Sequence, residues 1–436
     1  MTLKPEGYRT RIAEKQLEKA LSSFGAVCIE GPKWCGKTWI GLNSSNSSFM
    51  LGDYNEFGTS NKELVEFNIW AAFKGERPHM IDEWQEVPGI WDAVRSEVDR
   101  TSVKGSFILT GSSVPRVKRP MHGGAGRIKH LRIRTMSLYE SGDSTGEISL
   151  KAIMSGEDIP MVDNMLTLES LVELISAGGW PGNLNLDYEA KMESVRGYLE
   201  TIMDSAAHMD DKIRKESGLW MVFRSIARNE TTLASNRKIQ NDTGLSDDST
   251  GSVASDSLPV SYDSVTDYLD VFDRLYLIDD VLPFNPNLKS SVRVGKTKKR
   301  HLVDPSLAVA ALGVGKERLM RDLTVTRCMF ESLCLRDLRI YSQSIGARVF
   351  HYRDDSNMEV DAIVEMEDGT WGAFEIKLGF NQVEEAVRNL KKFRDKMSDH
   401  HAERAPAVLG VICGMTRHSF RTEDGVYVFP ITALRP

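Results

Sequence analysis

The chain has little that would staple it, anchor it in a bilayer or bind it wholesale to a polyanion. Its 436 residues include five cysteines (Cys28, Cys35, Cys328, Cys334, Cys413), an odd number without C-x-x-C spacing. That argues against a disulfide framework and for reduced core thiols. No run reaches about 18 apolar residues, and charges begin at Lys4. Neither a membrane span nor a signal peptide is expected, and the cytoplasm is the expected compartment. A net charge of -7 excludes a uniformly basic nucleic-acid binder, so any such contact has to be regional. His400 and His401 are adjacent and lack zinc-ligand spacing. The length exceeds what one core usually serves, so two or three domains are expected.

What is present is a glycine-bounded loop, Gly31-Pro32-Lys33-Trp34-Cys35-Gly36-Lys37-Thr38, between the apolar run Ala26-Val27-Cys28-Ile29 and a stretch that reads as helix. Such a loop aims backbone N–H groups at phosphate oxygens. Lys37 adds a point charge for the outer phosphates, and Thr38 offers a hydroxyl to Mg2+. Cys35, beside a lysine and a helix start, is either a small loop filler or a redox-sensitive thiol. Downstream, Pro78-His79-Met80-Ile81-Asp82-Glu83 reads as a strand ending in two carboxylates. Asp82 would hold Mg2+ through water and Glu83 would polarise the attacking water. The strand Gly105 to Thr110 ends at Gly111-Ser112-Ser113, where Ser112 could report the terminal phosphate. Arg127, after Gly123-Gly124-Ala125-Gly126, could supply transition-state charge in cis or to a neighbouring subunit; the alternative is a structural arginine.

These segments, together with Ile81 to Pro88, Leu109 to Ser113 and Gly178-Gly179-Trp180-Pro181, resemble bacterial and archaeal AAA-like P-loop ATPases that carry a C-terminal domain of poorly defined function. The resemblance implies an α/β fold whose first domain, residues 1–140, is a sheet with helices on both faces. It also implies ATP and Mg2+ as cofactors and ATP hydrolysis through Lys37, Thr38, Asp82 and Glu83. Trp39 after Thr38 is bulkier than expected and could affect nucleotide packing.

Residues 141–315 read as a helical lid joined to a winged helix, interrupted by a polar insert at 241–258. Leu166 to Ala177 looks helical, and Trp180 in the turn after it reads as a buried aromatic. Val265, Tyr268, Leu269, Phe272 and Leu275 lie at helical spacing, followed by strands near Tyr276 to Pro283 and His301 to Asp304. Between those strands, residues 289–300 carry six cations and no acid. They could track DNA phosphates, or form a solvated basic hairpin. DNA is thus the expected partner, with a protein partner and a homo-oligomer also open.

Residues 316–436 carry the second chemical signal. Glu359-Val360-Asp361 and Phe374-Glu375-Ile376-Lys377 flank an Asp368-Gly369 turn, so a hairpin can bring Asp361 beside Glu375 and Lys377 on one face. Two carboxylates and a lysine can fix a divalent cation and activate water. The pattern resembles the PD-(D/E)xK nuclease superfamily, a restriction-endonuclease-like α/β fold. The resemblance implies Mg2+ or Mn2+ at Asp361 and Glu375, and makes Glu331, on the preceding helix, a weaker candidate ligand. Strand cleavage by this domain is one expectation; an ATP-controlled assembly switch on a catalytically inactive scaffold is the other.

Overall fold

The computed structural model describes residues 3–55, 58–114, 124–244, 259–287, 297–400 and 405–436, and the side chains of 211, 399 and 400 are left aside. The chain divides into two compact units, one of residues 1–136 with 180–182 and 274–277, the other comprising the rest. The sequence suggested three parts; the helical segment and the C-terminal sheet fall in one unit.

The first unit is built on a parallel sheet of β1 (Ala26–Glu30), β2 (Ser47–Met50), β3 (His79–Asp82), β4 (Phe107–Gly111) and β5 (Ile128–Arg132), in the order β2-β3-β4-β1-β5. Side chains alternate across a strand, so a strand covered on both faces must be apolar at successive positions. In β1, Ala26 and Cys28 join Trp84, Trp91, Val94 and Phe107 in one core, while Val27 and Ile29 join Leu17, Ile40, Met80 and Ile108 in the other. Helix Gly89–Thr101 supplies Ile90, Val94 and Val98 at intervals of four to the first core. Every pairing in this sheet is parallel, so the carboxyl ends of all five strands share one edge. The P-loop, Asp82-Glu83 and Ser112 follow β1, β3 and β4 directly and therefore gather there.

In the second unit, β6 (Ile148–Ser149) pairs in parallel with the terminal strand, Leu434–Arg435. Its main sheet contains β7 (Arg348–Arg353), β8 (Glu359–Glu365), β9 (Trp371–Lys377), β10 (Val408–Cys413), β11 (Phe420–Arg421) and β12 (Tyr427–Phe429), in the order β11-β12-β10-β9-β8-β7. β7, β8 and β9 are antiparallel neighbours, whereas β10 runs parallel to β9. The crossover between β9 and β10 is helix Val383–His400, whose Val383, Val387, Leu390 and Phe393 pack into the sheet core. Gly369 closes the β8–β9 turn at φ +87°, the left-handed conformation that glycine adopts without steric cost.

Helices Leu168–Ala177, Tyr188–Ala207, Glu216–Arg228, Asn236–Asp242 and Tyr262–Arg274 occupy the middle of the chain. The two strands expected after the last helix are only isolated antiparallel bridges, Ile278↔Leu302 and Val281↔Lys299. Most of the polar insert (245–258) and the tip of the basic stretch (288–296) lie outside the described residues. Gly178 (φ +66°) is explained by its neighbours, since a Cβ there would stand 2.4 Å from Asp304 Oδ1. Asp304 in turn accepts from Gly179 N (3.0 Å) and Arg336 Nη1 (3.0 Å), a buried charge held by a full set of donors.

Candidate active site

The loop 31–38 is shaped by two glycines. Gly36 sits at φ +96°, and a Cβ on Gly31 would approach Ile133 O to 2.5 Å. Arg11 braces the loop from beneath, Nη1 donating to Cys35 O (2.8 Å) and Nη2 to Arg134 O (3.0 Å). Lys37 is buried, and its Nζ donates to Gly31 O (3.1 Å) and Pro32 O (2.8 Å), which leaves a third N–H. Lys33 is exposed, and Trp34 (φ +69°) stacks on the buried Trp180 with ring centroids 6.0 Å apart. Trp39 is half exposed beside Tyr8, and Cys35 is fully buried.

Asp82 ends β3 where the loop helix begins. Its Oδ1 accepts from Thr38 Oγ1 (2.9 Å) and Thr110 Oγ1 (2.5 Å). Burial raises its pKa, against those two hydroxyl bonds. Thr38 and Asp82 thus present a hydroxyl and a carboxylate side by side, a donor set that fits Mg2+. Glu83 follows in the left-handed region (φ +55°), a conformation that costs a non-glycine residue of order 1–3 kcal/mol and turns its side chain away from the strand line. Its Oε2 accepts from Ser112 Oγ (2.6 Å) and from Gln85 Nε2, while its own N–H donates to Thr110 Oγ1 (3.0 Å). The structure therefore brings Lys37, Thr38, Asp82, Glu83 and Ser112 together. Arg11, Thr110 and Gln85 were not anticipated; Arg11 and Thr110 reach the loop and the acids from distant points in the chain, whereas Gln85 lies two residues beyond the acid it contacts.

Arg127 is a correction. It precedes β5 at the edge where β1 starts, since Ala26 N donates to Arg127 O, and its side chain pairs with Asp99 (2.7 Å). The length of β1, about 13 Å at 3.3 Å per residue, separates it from the loop, so it cannot serve this site in cis.

The C-terminal constellation forms in β8 and β9. The register Ala362↔Phe374 sets Asp361 opposite Glu375. Lys377 Nζ lies 2.5 Å from Glu375 Oε2 and 3.3 Å from Asp361 Oδ2, and Ile376 N donates to Asp361 (2.8 Å). The sequence missed a second lysine. Lys299, 1% exposed, puts Nζ 2.5 Å from Glu331 Oε1, 3.4 Å from Glu359 Oε1 and 4.0 Å from Asp361 Oδ1. Burial opposes its charge, but these three carboxylates raise its pKa overall. Burial lifts Glu331 to about 7 and Glu375 well above the usual carboxylate range; Asp361, despite burial, is pulled down by Lys377 and Lys299.

The residues do not fit a divalent metal as arranged. An ammonium stands among Glu331, Glu359 and Asp361, and Glu331, expected as a ligand, is its closest partner. Among the described residues, the one trio of His, Cys, Asp or Glu ligand atoms within 4.8 Å is Cys28, Glu30 and His130 in the first unit. There His130 Nδ1 already lies 2.6 Å from Glu30, and burial raises the Cys28 thiol pKa well up.

At the described end of the basic stretch, two of its cations are turned to acids. Lys299 points into the carboxylates, and Arg300 pairs with Asp280 (3.1 Å) and donates to Ala234 O (2.9 Å). The exposed positions of helix Tyr262–Arg274 include Asp263, Asp270 and Asp273, a face of the wrong sign for a phosphate backbone.

Comparison with known proteins supports the class of the first domain. Residues 23–141 match the family described as AAA domain. Residues 168–318 and 328–434 match two families described as Domain of unknown function (DUF8612) and Domain of unknown function (DUF4143). Among solved structures, the Walker-type ATPase PABY2304 of Pyrococcus abyssi is 14% identical, with a TM-score of 0.42, covering 71% of this chain and 97% of its own. The Thermotoga maritima RuvB Holliday junction branch migration motor is 14% identical, with a TM-score of 0.27, covering 64% and 92%. At such scores these likenesses carry no functional argument. No curated protein matches. The match over residues 23–141 supports a P-loop ATPase first domain, of a class that binds and hydrolyses ATP with Mg2+. Among the described residues, no helix is long and apolar enough to cross a membrane.

Proposed function

We propose that the protein is an ATP-hydrolysing switch in which Glu83 is the general base and the C-terminal sheet is a scaffold. The observation that carries this reading is the convergence on the acidic strand end: Thr38 and Thr110 on Asp82, Ser112 and Gln85 on Glu83. Mg-ATP, when bound, supplies the polarised γ-phosphoryl group. Lys37 holds charge beside it, Thr38 and Asp82 orient the cation, and Glu83 takes the proton from water. Ser112 and Gln85 fix where that carboxylate points, so their hold on Glu83 sets its access to water. The test is phosphate release under Mg-ATP: Lys37→Ala should abolish it, and unchanged turnover in that variant would refute the reading.

A second reading, action on DNA, is favoured by a surface the sequence did not single out. An open pocket of about 500 Å³ is lined by Arg196, Trp220, Arg224 and Arg228, with the Arg224 guanidinium 5.4 Å from the Trp220 ring centroid. Three arginines and a half-buried aromatic, with Glu200 as the one acid of the lining, suit single-stranded nucleic acid, which offers phosphates and unstacked bases. Salt-dependent binding of a labelled single strand, weakened in Arg224→Ala and Arg228→Ala, would support this reading; ATP turnover indifferent to DNA would favour the switch alone.

A further inference from the structure

We infer that Lys299 is a built-in cation that occupies the carboxylate cluster of the C-terminal sheet and closes it to divalent metal. The inference rests on reading Asp361, Glu375 and Lys377 as a nuclease-like constellation, and deepens it by saying what controls the site.

The cluster holds four carboxylates, Glu331, Glu359, Asp361 and Glu375, from helix Leu323–Ser344 and from β8 and β9. Lys377 faces two of them, Glu375 and Asp361, and Arg353 lies 3.6 Å from Glu359 at the rim. Glu331 has no cation within 4 Å among the described residues except Lys299. Glu331, Glu359 and Asp361 each come within 4.0 Å of one buried point, a position that suits a cation. The chain supplies the ammonium. Lys299 reaches the cluster from the bridge Val281↔Lys299, where its N–H and C=O both bond to Val281 (2.9 Å), so the backbone fixes where the side chain starts. Its Nζ lies within 4.0 Å of one carboxylate on the helix and two on β8. A Lys299 side chain that is 1% exposed does not exchange with solvent without movement of that bridge.

Two consequences follow. The intact protein should not bind Mn2+ through Asp361, and taking the ammonium away while keeping the volume apolar should uncover a metal site, because the carboxylates remain and lose their counter-charge. The experiment is Mn2+ titration of the nucleotide-free full chain, read by electron paramagnetic resonance, for wild type, Asp361→Asn, Lys299→Met and the double variant. Wild type and Asp361→Asn should bind equal Mn2+. Lys299→Met should gain one equivalent, which the double variant loses. An Asp361-dependent equivalent in the wild type overturns the inference, as does a folded Lys299→Met that gains none. If Lys299→Met does not fold, the wild type against Asp361→Asn still decides: equal binding sustains the inference and unequal binding ends it. Phosphate release from ATP, measured on the same wild-type sample, reports separately on the ATPase reading.

Discussion

Two carboxylate groups in this chain use similar residues to opposite ends. At the end of β3, Asp82 and Glu83 are held by hydroxyls and an amide, from Thr38, Thr110, Ser112 and Gln85. Neutral donors fix a carboxylate's direction and leave its charge uncancelled, ready for a cation or a proton. In the C-terminal sheet, Glu331, Asp361 and Glu375 are held by the ammonium groups of Lys299 and Lys377. There the charge is spent inside the fold. A pair of acids near a lysine is therefore no sign of metal chemistry until the partners of each acid are known.

The comparison can be broken most directly at the first site. Lys37→Ala should lower ATP turnover per folded molecule at least about 100-fold, because the lysine stabilises developing phosphate charge. The second site should respond in stability instead. Lys299→Ala leaves Glu331 and Asp361 buried with one cation fewer, and removing one partner of a buried pair costs about 3–5 kcal/mol; urea unfolding at neutral pH measures it, with ATP turnover per folded molecule unchanged. Ser112→Ala should lower kcat about tenfold with KM for ATP nearly constant, since a hydrogen bond to a carboxylate, worth about 1.5 kcal/mol, that orients the base is lost rather than a contact to nucleotide.

The smallest effect concerns a third carboxyl, which combines neutral donors with complete burial. Glu230 accepts from Ser332 Oγ (2.7 Å) and Leu302 N (3.2 Å), and burial raises its pKa to about 8. The folded state then keeps a proton that the unfolded chain, at about 4.5, has released. The associated stability is fully present below about pH 4.5 and is lost as pH rises toward 8. Glu230→Gln should flatten the decline of melting temperature between pH 5 and 8.

The first site was legible because its parts are local in sequence. The loop 31–38 carries its own glycines, and Asp82 and Glu83 follow the apolar pair Met80-Ile81 at the end of a short strand. Parallel strands then put both at one edge, so no long-range guess was needed. Arg127 was misplaced for the complementary reason: it precedes its strand instead of following it, and so lies at the other edge. Arg11 and Thr110 went unnoticed because a lone arginine before a helix and a threonine inside a strand carry no pattern. Lys299 was counted with five neighbouring cations as a solvent-facing stripe. Charge along a hairpin does not reveal which side chains turn inward, and Lys298 and Lys299 face opposite ways by alternation alone. The hairpin of Asp361, Glu375 and Lys377 was readable from period two and the Asp-Gly turn, whereas its counter-charge from some 60 residues upstream was not.

The most direct measurement is steady-state phosphate release with saturating Mg-ATP, for wild type, Glu83→Gln and Asp361→Asn. The account expects Glu83→Gln to bind ATP yet turn over at least about 100-fold more slowly, and Asp361→Asn to hydrolyse ATP at the wild-type rate per folded molecule. Equal turnover in wild type and Glu83→Gln would contradict it.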